Sequence, residues 1–296
     1  MREIIDYAGL FPPARLPLDE ALREYQAYRS HPHSAFLARF VMPLDRLMKV
    51  TNPAAHPWRF SGLVRASSLP VQDARAEIDR CVAGLRFFEV KFPRITTDAI
   101  ELDLPEGAWN EENDYRRFRD FLSLLTASFT GRRVFIELDW RKPYAPLMAL
   151  MAQAGPHFGA KLRMGGNTPD LTPPSPAVAS FLLAAAAAGL PLKATAGLHV
   201  PTPNEDVETG ALMHGFFNFF CAGFLAYSGR GGQDSLIEVL EEYGYEDFCF
   251  KDGSLRFGSE EFTAEEISRL REQWLLSFGS CSFLEPVEHL QSHGLI

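Results

Sequence analysis

The chain has 296 residues, 46% of them hydrophobic and 23% charged, which suits a soluble globular protein of two domains or one large α/β barrel. A net charge of −9 and a pI near 5.4 argue against a general binder of nucleic acid or of anionic membranes, and still allow a local positive pocket. The apolar runs 177–190 and 211–227 are too short to span a bilayer, and Arg2, Glu3 and Asp6 interrupt any signal-peptide core in MREIIDYAGL. Cys81, Cys221, Cys249 and Cys281 form no CxxC pair and read as reduced thiols, so a cytoplasmic location is expected.

A first strand is expected at 4–9 (IIDYAG), followed by an amphipathic helix at 18–29. AFLARFVM (35–42) is a second strand with a short helix at 44–50, and WRFSGLVR (58–65) a third. Pro70 opens and Gly84 closes a helix over 70–84, and RFFEVKF (86–92) alternates as a fourth strand. A helix at 113–129 leads to RVFIELDW (133–140), one at 145–155 to GAKLRMGG (159–166), and one at 175–190 to PLKATAGLH (191–199). Residues 211–227 read as a buried helix. Residues 229–275 read as an insertion: a loop, a hairpin over 248–257 turning at Asp252-Gly253, and a helix at 262–276. SFGSCSF (277–283) supplies an eighth strand, after which Ser282 and Glu285, in capping-box spacing, introduce a last helix. This rhythm predicts an α/β fold: a single (β/α)8 TIM barrel over 1–296 with an α+β insertion at 229–275 before the last strand, an open parallel sheet being the alternative.

Four of the expected strands carry charge on one face. Glu89 and Lys91 oppose Phe88 and Val90; Glu137 and Asp139 oppose Ile136 and Leu138; Lys161 and Arg163 oppose Leu162; Lys193 and Thr195 oppose Ala194. Helices cover the outside of a barrel, so the charged faces point inward, where unpaired charge is costly outside an active site. Asp6, Arg39 and Arg65 fall inward on the same pattern. The interior then holds six basic residues (Arg39, Arg65, Lys91, Lys161, Arg163, Lys193) against four acidic ones (Asp6, Glu89, Glu137, Asp139), which favours a small anionic substrate. Half-solvated antiparallel strands, or an ion-pair network with a structural role alone, would give the same pattern.

A lysine desolvated among other cations loses its proton readily and can attack a carbonyl to form a Schiff base. Glu137, Asp139 or Glu89 could move protons, with Lys91, Lys161 and Lys193 as candidate amines. Lys161-Leu-Arg-Met-Gly165 and Lys193-Ala-Thr-Ala-Gly197 resemble the two lysine strands of class I aldolases of the deoxyribose-phosphate aldolase type, over about 20 residues. The chain also resembles bacterial TIM-barrel-like proteins. The aldolase resemblance implies Lys161 as the Schiff-base nucleophile and Lys193 as the partner that lowers its pKa. The family's aspartate on an earlier strand has Glu89 as its nearest counterpart.

Gly165-Gly166, the run Gly229 to Gly232, and Gly279 with Ser280 and Ser282 could present backbone N–H groups to a phosphate. Arg163, Arg39, Arg65, Thr195 and His199 complete the expected substrate contacts. His214 and Asn218 sit four apart, as a metal-ligand pair or as part of a packed helix. The expected function is an enzyme acting on a small phosphorylated or carboxylated carbonyl compound by lyase or aldolase chemistry, without a cofactor. The alternatives are a lyase or isomerase using a divalent metal held by Glu137, Asp139 and His199, and a non-catalytic barrel that binds an anionic metabolite. The expected partner is the small substrate rather than nucleic acid or membrane, and a homo-oligomer is compatible with the sequence.

Overall fold

In the computed structural model, residues 2–50, 58–67, 69–105, 115–207, 209–251 and 253–296 are described. The first half of the chain alternates β1 (Ile5–Tyr7), α1 (Leu18–Tyr28), β2 (Leu37–Pro43), β3 (Trp58–Val64), α2 (Val71–Lys91), β4 (Ile95–Asp103) and α3 (Arg116–Ser128). It continues with β5 (Arg133–Glu137), α4 (Ala145–Ala154), β6 (Phe158–Arg163), α5 (Ser175–Ala187) and β7 (Leu192–Thr195). A two-stranded ribbon, β8 (Asn204–Glu205) with β9 (Leu212–Met213), precedes α6 (Phe216–Ser228) and α7 (Gln233–Leu240). An antiparallel sheet of β10 (Phe248–Lys251), β11 (Ser254–Phe257) and β12 (Glu260–Phe262) leads to α8 (Ala264–Gln273), β13 (Leu275–Ser280) and α9 (Leu284–Ser292). The parallel strands close in the order β1-β13-β7-β6-β5-β4-β3-β2, an eight-stranded α/β barrel of the TIM type.

The elements between β7 and β13 make the longest connection. Residues 216–226 of α6 are all buried, as an apolar helix must be, with α5, α7, α8 and β13 packed around it. The expected hairpin forms with Phe248 opposite Phe257, and β12 adds a third strand; its turn residue Asp252 lies outside the described residues. Two boundaries differ from expectation. The glycine-rich loop gives way to α7 at Gln233, and α8 stops at Gln273 because Leu275 already pairs in the barrel with Leu192. Thr263 and Glu266 form a reciprocal capping box at the start of α8.

The fourth strand is where the sequence reading fails. Residues 86–92 do not form it: they end α2, and β4 follows at Ile95–Asp103. Ala74, Ile78, Cys81, Leu85 and Phe88 are buried at alternating spacings of four and three, one helical stripe running through the supposed strand. Gly84 stands inside the helix rather than ending it. Val90, expected to share an apolar face with Phe88, is 83% exposed. Among the described residues, no helix is long and apolar enough to cross a membrane.

These assignments separate two neighbouring substitutions. Phe88→Ala removes a fully buried ring and is expected to cost about 3–5 kcal/mol in urea unfolding, while Val90→Ala should stay within about 0.5 kcal/mol of the parent. A strand over 86–92 would make both costly.

Candidate active site

The barrel interior is crossed by a chain of ion pairs. In the parallel ladders Lys161 of β6 is level with Glu137 of β5 on one side and with Lys193 of β7 on the other. The Lys161 Nζ lies 3.0 Å from Glu101 Oε2 and 3.1 Å from Glu137 Oε2. Lys193 Nζ donates to the other Glu101 oxygen and lies 2.7 Å from Asp6 Oδ2. Ser61 donates to Glu101 at 2.7 Å, and Ser277 donates to Asp6. Arg163 donates from Nε to Glu137 at 2.8 Å, and the Arg39 backbone N–H donates to Asp6 at 2.9 Å. Asp6, Glu101, Lys161 and Lys193 are at most 4% exposed.

Burial pulls Asp6, Glu101, Glu137 and Lys161 toward their neutral forms, and the neighbouring countercharges reverse that pull. Burial would raise the Asp6 and Glu101 carboxyls, but Lys193, with Arg39 at Asp6 and Lys161 at Glu101, holds both below the ordinary range. Glu137 is partly buried, and Lys161 and Arg163 likewise hold it low. Burial would lower the Lys161 ammonium, but Glu101 and Glu137 outweigh it and hold its pKa above the usual lysine value. The expected depression of Lys161 by neighbouring cations is thereby overturned for the resting site: carboxylates stand next to it, and it is an ammonium.

A pocket of about 680 Å³ opens from this chain at the C-terminal ends of the strands. Among the described residues, four basic side chains line it (Arg65, Lys161, Arg163, Lys193) against six acidic ones (Glu101, Asp103, Glu137, Glu205, Asp206, Glu285). The expected excess of positive charge is therefore absent. Several of the acids are already engaged: Asp103 accepts from the Ala66 and Ser67 backbone N–H groups at 2.8 and 3.0 Å, and Glu285 pairs with His199 at 2.9 Å. Arg163, whose side chain is 42% exposed, and Arg65 are the cations nearest solvent.

The expected site residues divide clearly. Lys161, Lys193, Glu137, Arg163, Arg65, Thr195, His199 and Gly166 line the pocket. Glu89 and Lys91 lie on α2, where Glu89 pairs with Arg132 at 2.7 Å and Lys91 is exposed. Asp139 lies beyond the end of β5 and binds Arg141 at 2.9 Å instead of facing the pocket. Arg39 does point inward, but at the N-terminal end of the barrel, paired with Asp98 at 2.9 Å and Asp6 at 3.5 Å. Ser280 is 1% exposed; its hydroxyl meets His199 at 3.3 Å and accepts from the Ser282 N–H, while the Ser282 hydroxyl accepts from the Glu285 N–H at the start of α9. Gly165 is required by packing: a Cβ there would stand 2.6 Å from Met213 Cε and 3.0 Å from the Gly197 Cα. His214 precedes α6 and bonds to the Pro173 carbonyl at 2.7 Å, while the Asn218 amide caps the carbonyls of Val239 and Glu242. No group of three or more His, Cys, Asp or Glu side chains among the described residues could hold a metal ion. Cys281 lines the pocket, and burial pushes its thiol up to about 11.

Glu101 is the residue the sequence reading missed. The signal was ITTDAIELD, a run of strand length with Thr97, Ala99, Glu101 and Asp103 in period two. It lies on β4, the strand that the sequence reading had placed at 86–92.

No family model and no curated protein matches the chain. Among solved structures, one titled "QR15, an Aldolase" is similar at 9% identity with a TM-score of 0.47, covering 80% of this chain and 96% of that one.

The ion chain fixes a pH response. With Asp6, Glu101 and Glu137 held below their ordinary values, the unfolded chain takes up more protons than the folded one as the pH falls past 4.5. The stability these groups contribute is present above that range and lost on acidification. Lys161, held high, keeps its contribution until the pH rises past 10.5. The urea midpoint should therefore drop between about pH 5 and pH 3, and Glu137→Gln should flatten that drop. Glu101→Gln should cost about 3–5 kcal/mol at neutral pH, because it leaves buried ammonium charge short of a partner; an unchanged midpoint would show that the ion chain contributes no stability.

Proposed function

We propose that this chain is an aldolase-type lyase in which Lys161 forms a Schiff base with a small carbonyl compound bound at the mouth of the barrel. The observation that carries the reading is the pair of buried lysines on neighbouring strands sharing Glu101, with Lys161 also touching Glu137 beside the pocket. Lys161 passes a proton to Glu137, the carboxylate of the chain closest to solvent at 15% side-chain exposure. The free amine attacks the carbonyl carbon, forming the C–N bond as the C=O π bond breaks, and the nitrogen passes a second proton to the oxygen. The resulting hydroxyl takes a proton back from Glu137 and leaves as water, producing an iminium ion.

The iminium carries one positive charge at the position of the resting ammonium, so Glu101 and Glu137 stabilise it as they stabilise the ammonium. It then accepts the electron pair of the breaking carbon–carbon bond and becomes an enamine, while the hydroxyl on the departing carbon gives its proton to Glu137 and that fragment leaves as a carbonyl compound. Arg163 and Arg65 would hold an anionic group on the substrate. The acidic surplus around them suits a single carboxylate or a small phosphate ester rather than a larger polyanion.

Borohydride trapping tests this reading. The protein is incubated with 2-keto acids, aldehydes and sugar phosphates, reduced, and mapped by peptide mass spectrometry. One reduced adduct on Lys161 is expected, lost in Lys161→Arg, with a trapping rate that rises with pH because the resting amine is protonated. No adduct across the panel, or adducts on exposed lysines such as Lys91 alone, would overturn it and leave a barrel that binds without covalent chemistry.

A further inference from the structure

A second cavity lies at the other end of the barrel. The mouth pocket takes its walls from the C-terminal ends of the strands, at Ala8, Leu63 and Gly279; this one takes them from Ile4, Leu37 and Leu276, at the N-terminal ends. Its volume is about 950 Å³, against about 680 Å³ for the mouth. α8 and β11 form its outer side. The wall is largely apolar, built from Phe217, Phe224, Leu255, Ile267, Leu276 and Leu290.

Into this apolar wall the fold sets a guanidinium. Arg271 of α8 is 9% exposed and lies 4.8 Å from the centre of the Phe220 ring. It donates to the backbone carbonyls of Leu275, Arg2 and Glu3, and its Nε has no hydrogen-bond partner. Among the described residues, no carboxylate forms an ion pair with it. The two acids in the lining are engaged elsewhere: Glu3 pairs with Arg59 at 3.1 Å, and Glu272 accepts from Ser268 at 2.9 Å. A buried cation that touches no carboxylate is costly: burial lowers the Arg271 pKa, and Asp6 and Glu3, which act on it without an ion-pair contact, offset only part of that fall. An anion supplied from outside would lower that cost, held by the guanidinium charge and by the Nη1 hydrogen that the Leu275 carbonyl does not take.

We infer that this cavity is a second ligand site, which takes an apolar molecule bearing one carboxylate and seats that carboxylate against Arg271. It is independent of the Schiff-base reading, since none of its lining belongs to the mouth.

Titration calorimetry on the full chain tests it with two probes, slim decanoate and bulkier 1-naphthaleneacetate, and with neutral decanol for comparison. At least one acid should bind saturably with one site per chain, at least about tenfold more tightly than decanol. Arg271→Gln should weaken that binding by a similar factor. Ser268→Trp, on the exposed rim of the cavity, should block it without disturbing the core, and serves alone if Arg271→Gln does not fold. Lys161→Arg should leave it unchanged. Binding of neither acid, or affinities unaltered in Arg271→Gln and Ser268→Trp, would overturn the inference, and loss in Lys161→Arg would place the acids in the mouth instead.

Discussion

The polar interior of this barrel depends on one carboxylate with two lysines. Glu101 gives one oxygen to Lys193 and Ser61 and the other to Lys161. The lysines sit level on neighbouring strands, so without an anion between them two buried ammonium ions would face each other in a medium that screens poorly. Each needs a second carboxylate as well: β5, next to β6, supplies Glu137, and β1, on the far side of β13 from β7, supplies Asp6. The result is an alternating series, Arg39–Asp6–Lys193–Glu101–Lys161–Glu137–Arg163, drawn from β1, β2, β4, β5, β6 and β7. Every internal member touches opposite charge on both sides, which is the condition under which burial of such groups is tolerated.

That alternation bears on the chemistry. A lysine surrounded by cations is a ready nucleophile, but an iminium formed there would be repelled by its neighbours. A lysine surrounded by carboxylates is a reluctant nucleophile, and the cation it forms is held in place. This barrel has the second arrangement. Under the proposed Schiff-base chemistry it would trade a slower first step for stabilisation of the charged intermediate, the species that would have to survive long enough for a carbon–carbon bond to break. Glu137 touches both the lysine and the pocket, and in that chemistry it would hold the proton in the interval.

Much of this was legible in the sequence, and the failures share a physical cause. Period two identifies which face of a strand a residue occupies, and it placed Asp6, Glu137, Lys161, Arg163 and Lys193 inward. It does not give height along the barrel axis, which depends on register between strands distant in sequence. Arg39 therefore faced inward as expected but stood at the opposite end from the pocket. The fourth strand was lost because RFFEVKF satisfies both periods over seven residues, and only the longer stripe back to Ala74 reveals the helix. With it went Glu101, and the tally of inward charges turned positive. The acids that redress the balance at the mouth, Glu205, Asp206 and Glu285, lie after β7 or on α9, where strand periodicity says nothing.

The series also accounts for where the barrel can accept anions. Its members neutralise one another in the middle and leave a guanidinium at each end, Arg163 toward the mouth and Arg39 toward the lower cavity. The two ends differ in what surrounds that guanidinium. At the mouth, acidic side chains and solvent dilute the charge, so an anionic ligand there must be small and held by specific contacts. At the lower end Asp98 already occupies Arg39, and the uncompensated charge passes to Arg271, deeper and walled by apolar side chains. A hydrophilic anion gains little from such a wall, whereas an apolar acid buries its body and its charge together. On these two proposals one fold would present two anion-accepting ends of opposite character, set by how much water each guanidinium retains.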